Sequence, residues 1–234
     1  MKNLLLLSNS TNFGEPYLGW PQEHLSQFYE GVNEVLFIPF AGFALGYDKY
    51  EDAVKKAFSK FNKKVVSIHQ FENMQEAAKN AEAFAVGGGN TFYLFQQLHQ
   101  LGLMEIIKQK AENGTPFAGW SAGSNIACPS LKTSNDMPIV EPKSFDGLGL
   151  INFQINPHYT NKTIDGHGGE TRDQRIEEFI AANQKTAVLG LPEACLLHVE
   201  KNNLTFIGNS SAKLFLYGNE PKFVEPNSNL SYLL

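Results

Sequence analysis

Hydrophobic and polar positions alternate along this chain in two registers. Short, nearly continuous apolar runs predict strands over 3–7, 35–39, 64–69, 83–86, the stretch before Gly119, 151–156, 186–191 and 196–199. Between them, apolar residues recur at helical spacing over 21–30, 47–61, 73–80, 91–101 and 103–113, and again in a segment that continues through Phe179. In the 47–61 segment Tyr50, Val54, Ala57, Phe58 and Phe61 share one side and lysines occupy the other. A strand buried on both faces reads as a solid apolar run rather than as alternation, and a strand-helix-strand rhythm supplies covering helices. The pattern predicts an α/β fold, a mostly parallel sheet covered by helices on both faces. In such sheets functional groups collect at the carboxyl ends of the strands.

Composition narrows the classes. The 234 residues, 42% hydrophobic and 18% charged, suit one α/β domain spanning 1–234 with a well-buried core. A net charge of -5 without long runs of one sign makes nucleic acid and anionic membranes unexpected partners. The run Leu4 to Leu7 is cut off at once by Ser8-Asn9-Ser10, far shorter than a secretory core or a membrane span. Cys128 and Cys195 form no disulfide framework and no zinc-ligand spacing, so a reducing cytoplasm is the expected compartment. No ligand cluster is visible for a metal, and no cofactor is expected.

The candidate chemistry centres on Gly119-Trp120-Ser121-Ala122-Gly123. A strand running into Gly-x-Ser-x-Gly and then a helix is the pattern of a nucleophile elbow, where bulk beside the serine would strike the neighbouring strand or helix. Ser121 would then stand at a helix N-terminus, with the N–H of Ala122 facing a developing oxyanion. Gly87-Gly88-Gly89 ends the preceding strand and offers a second donor from Gly88 or Gly89, without the spacing of a P-loop or a dinucleotide fingerprint. Among six histidines, His158 follows a predicted strand end, whereas His24 and His99 fall in helices, His69 ends a remote strand and His198 lies in a late apolar run. His167, in a glycine-rich loop, suits substrate contact better than a fixed base. Two acids could hold the histidine tautomer: Asp136 in a polar connection, and Glu193 at the end of an apolar strand.

Taken together, Gly87 to Thr91, Gly119 to Gly123, Asn135 to Val140, Gln154 to Tyr159, Gly169 to Ile176 and Gly190 to Glu193, in that order, resemble the serine peptidase family that contains the α-aspartyl dipeptidase peptidase E and cyanophycinase. The resemblance runs from about Asn3 to about Gly218. It implies a fold similar to class I glutamine amidotransferases, with Ser121 where those enzymes carry cysteine, and cleavage of dipeptides that begin with aspartate. Carried over by position, it implies Ser121 as nucleophile, His158 as base and Gly88 and Ala122 as oxyanion donors. It offers both Asp136 and Glu193 as the third member, and the chemistry of strand ends favours Glu193. Ser124 and Ala194 depart from the alanine and glycine expected at those positions.

An aspartate side chain needs a cation that grips two oxygens, and the only two arginines, Arg172 and Arg175, fall at the start of the helix after the Gly166–Gly169 loop. Arg172 is the expected ligand, with Arg175, His167 and Asn90 as further substrate-binding candidates. The expected partner is a small Asp-Xaa peptide, and the expected state a monomer or homodimer. Rival readings are an isoaspartyl or cyanophycinase-like peptidase of the same family, an α/β-hydrolase esterase, for which serine, acid and histidine would follow in that order, and a binding module without chemistry.

Overall fold

The computed structural model describes residues 1–162 and 168–234. In chain order the elements are β1 (Asn3–Leu7), α1 (Gln22–Phe28), β2 (Glu34–Ile38), α2 (Tyr47–Phe58), β3 (Lys64–Ser67), α3 (Met74–Asn80), β4 (Phe84–Val86), α4 (Thr91–Gln100), α5 (Met104–Glu112), β5 (Phe117–Trp120) and α6 (Ala122–Asn125). A largely irregular connection then leads to β6 (Gln154–Pro157), α7 (Arg172–Ala182), β7 (Val188–Leu191), β8 (Cys195–Glu200), β9 (Asn203–Gly208), β10 (Ala212–Phe215) and β11 (Lys222–Val224). The α/β class expected from the pattern is the class found.

The main sheet has the order β3-β2-β4-β5-β1-β8-β9. Its first five strands are parallel, and β8 and β9 are added antiparallel. Period-2 geometry divides each strand between two cores. Leu4, Leu6, Leu36, Ile38, Phe84 and Val86 face the layer built from α3, α4 and α5. Leu5, Leu7, Val35, Phe37, Ala85 and Trp120 face α1 and α2. Both faces are covered, which is why these strands carry no polar alternation.

The strands divide between two sheets. β6 and β7 leave the main sheet and form a second one, ordered β11-β10-β7-β6, with β6 and β7 parallel and the remaining pairs antiparallel. Ile176 and Ile180 of α7 pack on Val188, Phe215 and Tyr159, while Ile155, Leu189 and Leu191 join the larger core. Local periodicity cannot distinguish a strand of one sheet from a strand of its neighbour, because both bury the same residue types.

The sheets meet at the site. The chain passes from β7 to β8 through Pro192, Glu193 and Ala194, and the end of β1 serves as the junction: Ser121 N–H donates to the Leu7 carbonyl at 3.1 Å, and Ser8 N–H to the Cys195 carbonyl at 2.9 Å.

Candidate active site

Ser121 occupies the turn between β5 and α6 with φ 54° and ψ -114°, a backbone state that non-glycine residues seldom hold. The flanking glycines explain how the turn closes. A Cβ on Gly119 would lie 2.1 Å from the Gly123 carbonyl oxygen, and one on Gly123 would lie 2.1 Å from that of Val86. No side chain fits at either position. Ser124, where alanine was expected, is fully buried, and its hydroxyl lies 2.6 Å from the Leu7 carbonyl and 2.8 Å from that of Gly119, so the extra oxygen ties α6 to two strands.

His158 stands just beyond β6, also at positive φ (54°). Its Nε2 is 3.0 Å from Ser121 Oγ and its Nδ1 is 2.9 Å from Glu193 Oε1. A neutral imidazole that donates Nδ1–H to the carboxylate leaves Nε2 free to accept the serine proton. Serine, histidine and acid thus follow in that order along the chain, unlike the order of the esterase reading. Ala194, the residue after Glu193, has φ 57°, which explains the expectation of glycine there.

Asp136 is elsewhere. Its Oδ2 accepts the Thr91 N–H at 2.8 Å, the Thr91 hydroxyl at 2.5 Å and the Ser134 hydroxyl at 3.2 Å, which places a carboxylate at the N-terminus of α4. Asn90 caps the same helix: its Oδ1 accepts from Tyr93 N–H at 3.0 Å, and its Nδ2 donates to the Met137 carbonyl at 2.9 Å. Both ends of that amide are engaged within the protein, although Asn90 still lines the cavity. His69 is held by Asp48, His99 by the Asp146 carbonyl, and His198 packs on Phe28, all outside the site. Asp48, Glu51 and His69 bring their ligand atoms within 4.8 Å of one another, a cluster invisible in sequence spacing. Glu51 is already paired with Lys55 and accepts from the Ser67 N–H.

Gly88 lies close against the elbow, since a Cβ there would be 3.1 Å from Ser121 Cβ. Its carbonyl accepts the Tyr50 hydroxyl at 2.9 Å, and Tyr50 in turn accepts from Trp120 Nε1 at 3.0 Å. This chain fixes the glycine turn through a buried tyrosine, whose ionisation burial pushes up. Ala122 is the first residue of α6, so its N–H has no acceptor within the helix.

Arg172 opens α7 and is half-buried, with Nη1 3.4 Å from Asn156 Oδ1 and no carboxylate partner among the described residues. Burial first, and the neighbouring Arg175 second, pull its guanidinium below the usual arginine range. Arg175 instead reaches Glu170 at 3.7 Å on an exposed face. His167 lies outside the described residues.

A family profile, Peptidase family S51, matches residues 4–207. The chain belongs to peptidase family S51. Peptidase E of Nostoc sp. is 50% identical over 234 residues, covering 100% of this chain and 97% of that protein. Peptidase E of Haemophilus influenzae is 41% identical over 215 residues, covering 90% and 98%. Among solved structures, a putative peptidase E protein from Listeria monocytogenes superposes with a TM-score of 0.65 at 22% identity over 90% of this chain and all of that one. A peptidase from an acI-B1 actinobacterium gives 0.74 at 16% identity over 98% and 96%. These two show the fold, consistent with the amidotransferase-like architecture that the resemblance implied. As a member of family S51 the chain is a serine peptidase.

Two residues of this S51 site escaped the sequence reading. Ser8, fully buried, donates its hydroxyl to the Leu191 carbonyl at 2.8 Å and accepts the His158 N–H at 2.9 Å. Asn9 Oδ1 accepts the Ala194 N–H at 2.9 Å. Together they clamp the turns carrying His158 and Glu193 to the end of β1. The signal was present: a polar triplet at the carboxyl end of the first strand, which the strand-end rule marks as a site position.

Proposed function

We propose that this S51 peptidase hydrolyses Asp-Xaa dipeptides through an aspartyl-enzyme intermediate. The observation that carries the reading is the half-buried Arg172 guanidinium, without a carboxylate partner among the described residues and hydrogen-bonded to Asn156, two residues before His158. A cation held there at a desolvation cost is stabilised when a substrate carboxylate binds in two-point fashion. The name peptidase E borne by the relatives points the same way.

In the proposed reaction His158 Nε2 takes the hydroxyl proton of Ser121 as Oγ attacks the carbonyl carbon of the substrate aspartate. The Ala122 and Gly88 N–H groups stabilise the tetrahedral oxyanion. His158, its charge balanced by Glu193, gives the proton to the amine of Xaa, and the C–N bond breaks. Water, deprotonated by His158, then attacks the aspartyl ester, and the proton returns to Ser121 as aspartate leaves. The chemistry proposed for this chain's own residues is complete without a cofactor. A role in recovering amino acids from small peptides in the cytoplasm belongs to the same proposal. Among the described residues no helix is long and apolar enough to cross a membrane.

The test is a substrate panel: Asp-Leu, its β-linked isomer, Asn-Leu and a longer peptide starting with Asp. Cleavage of Asp-Leu at least about a hundredfold faster than Asn-Leu is expected from a desolvated charge pair. Preference for the β-linked isomer, or equal rates on Asn-Leu, would overturn the reading.

A further inference from the structure

The cavity beside Ser121 and His158 extends away from them into a lobe walled by the segment between β2 and α2. Phe43, Ala44 and Leu45 come from that segment, Ile139 from the connection before β6, and Tyr17 from the loop after β1. The whole cavity holds about 530 Å³, within the range of roughly 300–1,000 Å³ typical of small-molecule sites. Among the described residues that line it there is no lysine, arginine, aspartate or glutamate. Phe43, Leu45 and Ile139 are 56%, 51% and 54% exposed, so apolar surface stands open to water at the mouth of a catalytic cavity. The wall is built in advance of any ligand. The Asn90 N–H donates to the Ala41 carbonyl at 2.9 Å, the Gly46 N–H closes back on the Gly42 carbonyl at 3.2 Å, and the Phe43 ring lies 4.6 Å from that of Tyr93.

Two neighbourhoods of opposite chemistry therefore flank the Ser121–His158 pair. The sheet order sets β4 and β2, with the apolar lobe at their ends, on one side of β5. On the other side lie β1 and then the ends of β6 and β7, where Arg172 is bonded to Asn156; Arg172 does not line the cavity. An Asp-Xaa dipeptide carries two side chains, and a carboxylate in a lobe with no cation among its described lining residues would lose its hydration uncompensated. We propose that the lobe lined by Phe43, Leu45 and Ile139 is the subsite for the side chain of the residue after aspartate, and that the enzyme prefers Asp-Leu, Asp-Phe and similar apolar dipeptides over Asp-Gly, Asp-Ser and Asp-Lys. This rests on the Asp-Xaa reading and adds the second half of the substrate to it. Burying a leucine or phenylalanine side chain against this wall gives a preference on the order of tenfold to a hundredfold in kcat/KM over glycine.

The experiment compares kcat/KM for Asp-Leu, Asp-Phe, Asp-Gly and Asp-Lys in the native enzyme and in Phe43→Ser and Ile139→Ser. Both side chains are more than half exposed, and an unchanged Tm verifies that each variant is folded. The expected result is an Asp-Leu to Asp-Gly ratio of about tenfold or more, reduced by about fivefold in at least one variant. A native ratio within about twofold of unity, or one that neither variant changes, would overturn the subsite while leaving Asp-Xaa hydrolysis standing. Failure to cut any Asp-Xaa peptide, with other peptides or esters cleaved, would remove the function reading and the subsite together.

Discussion

Three residues around the site bend through positive φ without being glycine: Ser121, His158 and Ala194, at 54°, 54° and 57°. Each costs on the order of 1–3 kcal/mol and persists only because its surroundings over-determine it. For Ser121 the enclosure comes from Gly119 and Gly123, so removing the hydroxyl leaves the turn unchanged. Ser121→Ala is expected to lower kcat by several orders of magnitude, on the scale of other triad knock-outs, with unaltered Tm. A rate within about tenfold of the native one would exclude the nucleophile assignment. The two acids separate by different readouts. Glu193→Gln should lower kcat about a hundredfold or more, because the imidazolium loses its counter-charge and its tautomer is no longer selected. Asp136→Asn should cost less in kcat but about 1–3 kcal/mol in stability, since Thr91 loses a charged acceptor at the start of α4. The opposite ranking in kcat would return the role to Asp136.

The elements matter because the serine stands on one sheet while the histidine and the acid stand at the strand ends of the other. β5 and α6 carry Ser121, whereas β6 carries His158 and β7 carries Glu193. The buried Ser8 hydroxyl joins them at the end of β1, linking the His158 N–H to the Leu191 carbonyl. Ser8→Ala leaves both groups unpaired and should cost about 1–3 kcal/mol in stability. It should also lower kcat on Asp-Leu by about tenfold while KM changes little, since a shift of about 1 Å in His158 affects the transition state more than binding. Equal changes in kcat and KM would argue against this positioning role. In the proposed reading, helix α7 carries the residue that grips the substrate aspartate. Its first turn is anchored where Asp173 receives the Lys213 ammonium at 2.5 Å and the Tyr159 hydroxyl at 2.6 Å. Against that fixed turn, Arg172→Met should lower kcat/KM for Asp-Leu by roughly two to three orders of magnitude and affect Asn-Leu far less. Equal losses on both substrates would transfer attention to Arg175.

At the scale of the whole molecule, ionisable groups locked in the interior set the alkaline limit of stability. Burial pushes the Cys128 thiol up to about 12, and burial also raises the Cys195 thiol and the Tyr17, Tyr29 and Tyr50 phenols. Each of these groups keeps its proton in the folded chain at a pH where the unfolded chain has released it. The folded state then binds more protons than the unfolded one, so stability falls as pH rises. The expected Tm is flat up to the ordinary thiol and phenol range, near 9 and 10, and declines steadily above it. A Tm that held constant to pH 11 would contradict the burial. Neither cysteine should react with iodoacetamide at pH 8 in the native protein, and both should react once it unfolds, because only a thiolate in contact with solvent is nucleophilic.

What the sequence by itself determined was local. Apolar runs marked the strands because a strand covered on both faces has no polar side. Gly119 and Gly123 marked the elbow because a Cβ at either position has nowhere to go, and Ser121, His158 and Glu193 were each legible as residues at predicted strand ends. What only the tertiary structure decided was company. The departure of β6 and β7 into a second sheet, the meeting of His158 with Glu193 rather than Asp136, the placing of the Asp136 carboxylate at the start of α4, and the clamp at Ser8 all depend on contacts between residues far apart in the chain. Local hydrophobic periodicity carries no term for such contacts, since it records whether a residue is buried and not which neighbour buries it.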